Sequence, residues 1–480
     1  MHIVRSAVVA LLLLLVSGSI TATVAPAAIS PPLVESGPEL DVETFAVAMS
    51  PAGERSALLY EGRVRASPRQ ERTLLRVRLG RGRTLAASQK LEDLRPGTGI
   101  RRNVRIDDVK LAVAPDGTAV AAWVATNASK DFGRSEYRLR VATARAGHRF
   151  GRPQTALLLA QSFSLEGLVA GRDGLTVLGL LRGHKVEVAV RRGAGRFSRR
   201  QAIGSSRSYV APPTFALAPS GAVVAAWTPA NATPAMASVL APRARRFRPA
   251  VAVSTAGEAT DYGRAVAGPG GAGVAWIVAR TDDPAAPRRP RFARLHRTGV
   301  TFAAPVTIAD VNASGGPHVA ISRLGLATAW RHYGVHTEPG DSDSLTSSRV
   351  AANASWLADT TPRRLTEPPS LAARPVTAAL GDRALIAWRE IPQYDKRTPI
   401  RVAVAGPAGW LATVSVPRSR AEQTGRREYA AFGIDDDERP SRADLAIAAG
   451  RSGALLAYLV YVPSQDGNAD RQLHVAGYRP

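Results

Sequence analysis

A chain of 480 residues that is 45% hydrophobic and 21% charged can bury a large core, and this composition excludes both a disordered chain and a membrane-embedded one. With no cysteine, a disulfide framework, a thiolate metal site and a thiol nucleophile are excluded too, so stability must come from packing. The formal charge of +24 rests on 58 Arg and 5 Lys; a skew this large fits a GC-rich bacterial genome, but the surplus over acids still attracts anionic partners.

In chain order, the first feature is the run Ala7 to Val16, "AVVALLLLLV", preceded by a short positive region and followed by small residues up to Ala25–Pro26–Ala27. That pattern predicts a secretory signal peptide over residues 1–28, ahead of a single domain over 29–480; an uncleaved N-terminal anchor is the alternative. The expected location is secreted or bound to the cell envelope, with no membrane span in the mature chain. The anionic partner is then an envelope polysaccharide or other polymer, or a protein, and nucleic acid is not expected.

After it comes a repeat. "APDGTAVAAW" (Ala114 to Trp123) and "APSGAVVAAW" (Ala218 to Trp227) lie 104 positions apart, and each reads as a strand end, a Pro-x-Gly turn and a strand closing on Trp. The same frame ends at Tyr60, Leu180, Trp276, Trp330, Trp388 and Tyr458, so eight anchors follow one another at intervals of 47 to 70 residues. Downstream of each anchor, after a variable polar stretch, comes a second hairpin signature, as in "LRVATARAGHRFGRP" and "VEVAVRRGAGRFSRR". Each unit thus supplies four strands, A to D. Such units predict an all-β fold, a β-propeller of about eight blades, or seven if the third unit, with Leu180, is misread. The last unit stops at "QLHVAGYRP" after strand C, and "SPPLVESG" (Ser30 to Gly37) reads like the missing D strand. The N-terminal strand is therefore expected to close the ring, with the anchor Trp residues wedged between blades.

On these residues the chain resembles secreted bacterial β-propeller repeat proteins and is loosely similar to sialidase-type propellers, whose Asp-box reads Ser-x-Asp-x-Gly-x-Thr-Trp. "PDGTAVAAW" departs from that box, with Asp116 next to Gly117 and Trp123 five residues past Thr118. The early Phe/Tyr-Arg-Ile-Pro element of sialidases is absent, so the resemblance implies a fold and carries no catalytic residue onto this chain.

Because strands alternate in direction, A–B and C–D turns share one face and B–C and D–A loops the other. The first set is tight; the second holds the insertions, such as "TNASKDFGRSEYR" and "RHYGVHTEPGDSDSLTSS". Long loops on a rigid scaffold are where binding groups concentrate. Residues placed just before the A strands should ring the channel mouth there. The ligand-binding candidates are Arg105, Asp107, Tyr209, Asp261, Arg264, His318, Arg374 and Asp444, with Asp41, Glu43 and Glu166 in the same ring. Guanidinium forks and acceptor oxygens around a concavity suit a sugar or a carboxylate.

Other motifs fall short of their chemistry. His332 and His336 have the i, i+4 spacing of a helical zinc pair but sit in a predicted loop without the following Glu. "DGNAD" begins like a calcium loop, yet Arg471 stands at the Gly position and Gly477 at the bidentate Glu. "GPGGAG" (Gly268 to Gly273) is an A–B corner that opens no helix. No metal and no cofactor is expected. The sequence thus points to an exported, non-catalytic binding scaffold for an extracellular or envelope glycan or anionic polymer. A carbohydrate-active enzyme, hydrolase or lyase, on the same face and a protein-interaction platform are the alternatives.

Overall fold

The computed structural model describes residues 28–36, 40–65, 71–95, 103–128, 135–206, 210–229, 234–279, 288–309, 314–334, 349–356, 359–365, 371–372, 375–391, 399–407, 409–417, 445–463 and 469–479. Among these residues every regular element is a β-strand, and the strands form eight antiparallel sheets. No helix there is long and apolar enough to cross a membrane.

Each sheet is one sequence unit. Blade one runs Leu40–Met49, Arg55–Arg65, Glu71–Arg81 and Gln89–Leu94, and blade two Asn103–Val113, Ala119–Ala128, Ser135–Ala144 and Gln154–Leu159. The third unit is complete despite its Leu anchor: Ser164–Ala170, Thr176–Arg182, Lys185–Arg191 and Gln201–Ser205. Blades four and five begin with Thr214–Leu217 and Ala259–Gly268, blades six and seven with Ser314–Ile321 and Val376–Leu380. Blade eight contributes Leu445–Gly450, Gly453–Pro463 and Ala469–Arg479. Strands A of successive blades pack against one another all the way round, blade eight against blade one included, so the ring is closed with the A strands innermost.

The N-terminal segment supplies the outer strand of blade eight. Ala28–Ile29 and Leu33–Val34 pair antiparallel with Ala469–Arg479, placing Ile29 opposite Tyr478 and Val34 opposite His474. Two serines complete the ladder where the strand is interrupted: Ser30 Oγ accepts from the Gly477 amide at 2.9 Å and Ser36 Oγ from the Leu473 amide at 3.0 Å. Chain ends far apart in sequence thus share one sheet.

The anchors explain the seams. Trp123, Leu180, Trp276, Trp330 and Trp388 are fully buried, and Tyr60, Trp227 and Tyr458 nearly so. Trp123 packs with Leu59 and Leu75 of blade one, Trp227 with Val177 and Val188 of blade three, and Tyr60 with Leu455 and Ala457 of blade eight. Each large ring reaches back to the preceding blade, so one aromatic per repeat fills each wedge-shaped gap between twisted sheets. The two decapeptides form the same turn: Gly117 and Gly221 adopt φ of 80° and 85°, and their amides donate to Ala114 O and Ala218 O at 2.9 Å. The "GPGGAG" stretch has a different reason. A Cβ on Gly270 would lie 1.8 Å from the Ser322 carbonyl oxygen of blade six, so this corner is Gly-rich because two backbones touch.

Candidate functional site at the channel mouth

The predicted ring residues that the structure describes lie within the A strands rather than ahead of them, because those strands extend further toward the loop face than the repeat pattern indicates. Where they do, the register breaks. In blade two the pairing shifts between Asp107 and Lys110, and in blade five between Asp261 and Arg264, each time with two residues bulged out. Asp107 and Asp261 are equivalent, opposite Val124 and Ile277, the residues that follow the anchor Trp. The bulges place Asp108 and Tyr262 in the left-handed region, at φ 52° and 56°, a conformation costly for a non-glycine side chain. Smaller shifts occur at Glu43 in blade one and at Glu166 in blade three.

The bulges aim charged groups that the blades then lock in pairs. Arg105 Nε lies 2.9 Å from Asp107 Oδ2, which also accepts from Thr126 Oγ1 at 2.9 Å. Asp261 is bonded by Arg288, the residue just before strand C of the same blade. Arg264 Nη1 sits 3.3 and 3.4 Å from the two ring nitrogens of His318, linking blade five to blade six. Across the closing seam, Arg471 of blade eight grips Asp41 through both side-chain oxygens at 2.9 and 3.0 Å, while Arg63 holds Glu43 at 2.7 Å. The structure thus brings the candidates together as local pairs on blades eight and one, two, and five and six, and does not gather them into one cluster. Tyr209, Arg374 and Asp444 lie outside the described residues.

Two acids escaped the sequence reading. Glu61 follows anchor Tyr60 on strand B, where the other repeats carry Val124, Leu181, Thr228, Ile277, Arg331, Arg389 and Leu459, so an acid at that repeat position was the available signal. It is 2% exposed, its Oε2 has no hydrogen-bond partner among the described residues, and burial, reinforced by nearby Glu43, pushes its carboxyl up to about 8. Asp108 is raised to about 6, again chiefly by burial, and its Oδ2 accepts the Leu165 amide of blade three at 3.1 Å. Neither shift is visible without the packing that removes water.

Among the described residues no group of three or more His, Asp or Glu is placed to hold a metal ion. His332 lies in a strand, Leu326–Gly334, rather than in a loop. His336 and residues 466–468 of the calcium-like stretch, like the acidic run Asp435 to Glu438, are outside the described residues.

No family model and no curated protein matches the sequence. Among solved structures, prolyl endopeptidases share 16% identity at a TM-score of 0.44, with 91% of this chain and 54% of theirs aligned; the chain spans about half the length of those enzymes. A Hadza microbial sialidase aligns at 12% identity and a TM-score of 0.36 over 60% of this chain and 63% of its own. The polysaccharide lyase Uly1 aligns at 8% identity and a TM-score of 0.48 over 94% and 99%. At such identities none of their functional residues transfers here, and it is the ring of eight antiparallel sheets itself that makes the chain a β-propeller.

Proposed function

We propose that this chain is a non-catalytic binding scaffold, working outside the cytoplasm after export on its N-terminal apolar segment, and that the channel mouth binds a glycan or another anionic polymer of the envelope. The observation that carries this reading is the pairing at the mouth: Asp41 with Arg471, Glu43 with Arg63, Asp107 with Arg105 and Asp261 with Arg288. Fixed guanidinium–carboxylate pairs on rigid strands offer donors and acceptors at set positions, which suits hydroxyl-rich ligands. Co-sedimentation with envelope polysaccharides over a salt series, with the supernatant assayed for released sugar, tests it. Retention without release, weakened by Arg105→Ala, is expected; no retention at any salt would refute it and leave protein partners.

A carbohydrate-active enzyme is the second reading, and Glu61 is what favours it. A carboxyl whose pKa burial raises to about 8 can hold a proton at neutral pH, as the general acid of a glycoside hydrolase must. Its burial requires that the mouth open for a substrate to reach it. Sugar released by the wild type and not by Glu61→Gln would put this reading first.

A further inference from the structure

The surplus positive charge is not spread evenly over the propeller. Among the described residues of the loop face, arginines stand in ion pairs: Arg72 lies against Asp93, Arg138 against Glu136, Arg182 against Glu187 and Arg291 against Glu258, in addition to the pairs at the mouth. The C–D corners on the opposite face differ. "RAGHRFGR" in blade two, "RRGAGRFSRR" in blade three and "PRARRFRP" in blade four carry three, five and four arginines and no Asp or Glu. Arg145, Arg149, Arg196, Arg199, Arg245 and Arg246 are all exposed, and among the described residues none of them has a carboxylate partner. The corners of blades one and five carry two arginines each, Arg81 with Arg83 and Arg294 with Arg297, and blade seven's corner, Gly406 to Gly409, carries no charge, so the cations are densest in an arc over blades two to four.

The arc is also rigid and continuous. Arg55 of blade one donates to His148 O in the corner of blade two at 3.0 Å, and Arg191 of blade three donates to Thr143 Oγ1 of blade two at 3.1 Å. Arg192 donates to Ala244 O in the corner of blade four at 2.9 Å. Buried Phe150 and Phe247 pin the corners from beneath, and Arg191 stacks over the Phe197 ring at 4.8 Å. Free guanidiniums held in fixed places along a line attract a chain of fixed negative charges at small ordering cost.

We infer that the C–D corners of blades two to four form a docking surface for a linear anionic polysaccharide, on the face opposite the channel mouth. This uses the export reading only to select polysaccharide among polyanions, and it stands whatever the mouth binds. None of the large hydrophobic side chains exposed among the described residues lies in these three corners, so an apolar wedge for lipid insertion is missing from the arc.

The test measures affinity of the purified protein for heparin and for alginate across a salt series. The arc variant R196Q/R245Q/R246Q is compared with R72Q/R95Q/R138Q, which removes equal charge from the loop face. The arc variant is expected to bind at least ~10-fold more weakly, with a slope of log affinity on log salt shallower by about 2 to 3, and the loop-face variant within about twofold of wild type. Circular dichroism and thermal melts should be unchanged for the arc variant, whose three side chains make no hydrogen bond or ion pair among the described residues. Equal losses in the two variants would mean bulk charge only and would overturn the proposal. So would an unweakened arc variant, or binding confined to duplex DNA or to phosphatidylglycerol vesicles. Failure of the mouth reading shows separately, as envelope-glycan retention that Arg105→Ala leaves intact.

Discussion

Gln201 clasps Phe247 across the boundary between blades three and four: its Nε2 donates to the Phe247 carbonyl at 2.8 Å and its Oε1 accepts the Phe247 amide at 3.0 Å. Gln89 makes the same two bonds to Phe150 between blades one and two, at 2.8 and 3.0 Å. A single primary amide thereby satisfies both backbone groups of a C–D corner on the neighbouring blade. Gln201→Leu should cost about 1–3 kcal/mol, because a half-buried donor and acceptor lose their partner together. The double variant with Gln89→Leu should be additive, the two sites sharing no contact. Urea denaturation checks both: a lower midpoint at constant slope is expected.

The closing strand should behave as a clasp. Removing residues 28–36 strips the outer edge of Ala469–Arg479 and leaves an unpaired strand, so the shortened protein is expected to aggregate, read by size-exclusion chromatography. Glu35, buried on this segment, is held by Arg78 at 2.6 Å, but burial outweighs that contact and raises its carboxyl pKa. Glu35→Gln should therefore be tolerated within about 1 kcal/mol. Arg78→Ala, which strands the acid, should cost about 3 kcal/mol.

Two buried groups should tilt the pH dependence in opposite senses. His474, wholly buried against Tyr458 in blade eight, is driven down to about 4, first by burial and then by Arg389. Its unfolded counterpart takes up a proton near pH 6.5, so stability is lost as pH falls from about 6.5 to 4, by roughly 3 kcal/mol. Glu61 is raised to about 8, so its contribution is full below about 4.5 and is lost as pH rises through 8. Asp108, raised to about 6, has the same sign as Glu61. Thermal melts from pH 4 to 8.5 should show the alkaline limb flattened by Glu61→Gln and the acid limb flattened by His474→Gln.

Gly204 lies under the Trp227 ring, and an added Cβ would stand 2.3 Å from Cζ2. Gly204→Ala should lower stability by about 1–3 kcal/mol, since the anchor cannot move in a filled seam. Restoring space with Gly204→Ala/Trp227→Phe should recover part of the loss, measured as a rise in melting temperature over the single variant.

The blade grammar was legible because it is local. Period-two alternation, Pro-x-Gly turns and one aromatic per unit are repeated down the chain, and the closing strand could be read from the D strand missing after Tyr478. Even Leu180 marked a true blade, since any large apolar side chain fills its wedge against Val120 and Ala122. Pairing and burial were not local. Nothing near Asp41 in sequence announces Arg471, which stands 430 positions away and meets it only because the ring closes. Glu61 is an ordinary charged residue until blades eight, one and two take its water away. Likewise the sequence placed the arginines of blades two to four at C–D corners, but only the packing of neighbouring strands showed which described arginines meet a carboxylate, as Arg200 meets Glu187. Local pattern sets what each blade is; which charges meet, and which stay in water, depends on closing the circle.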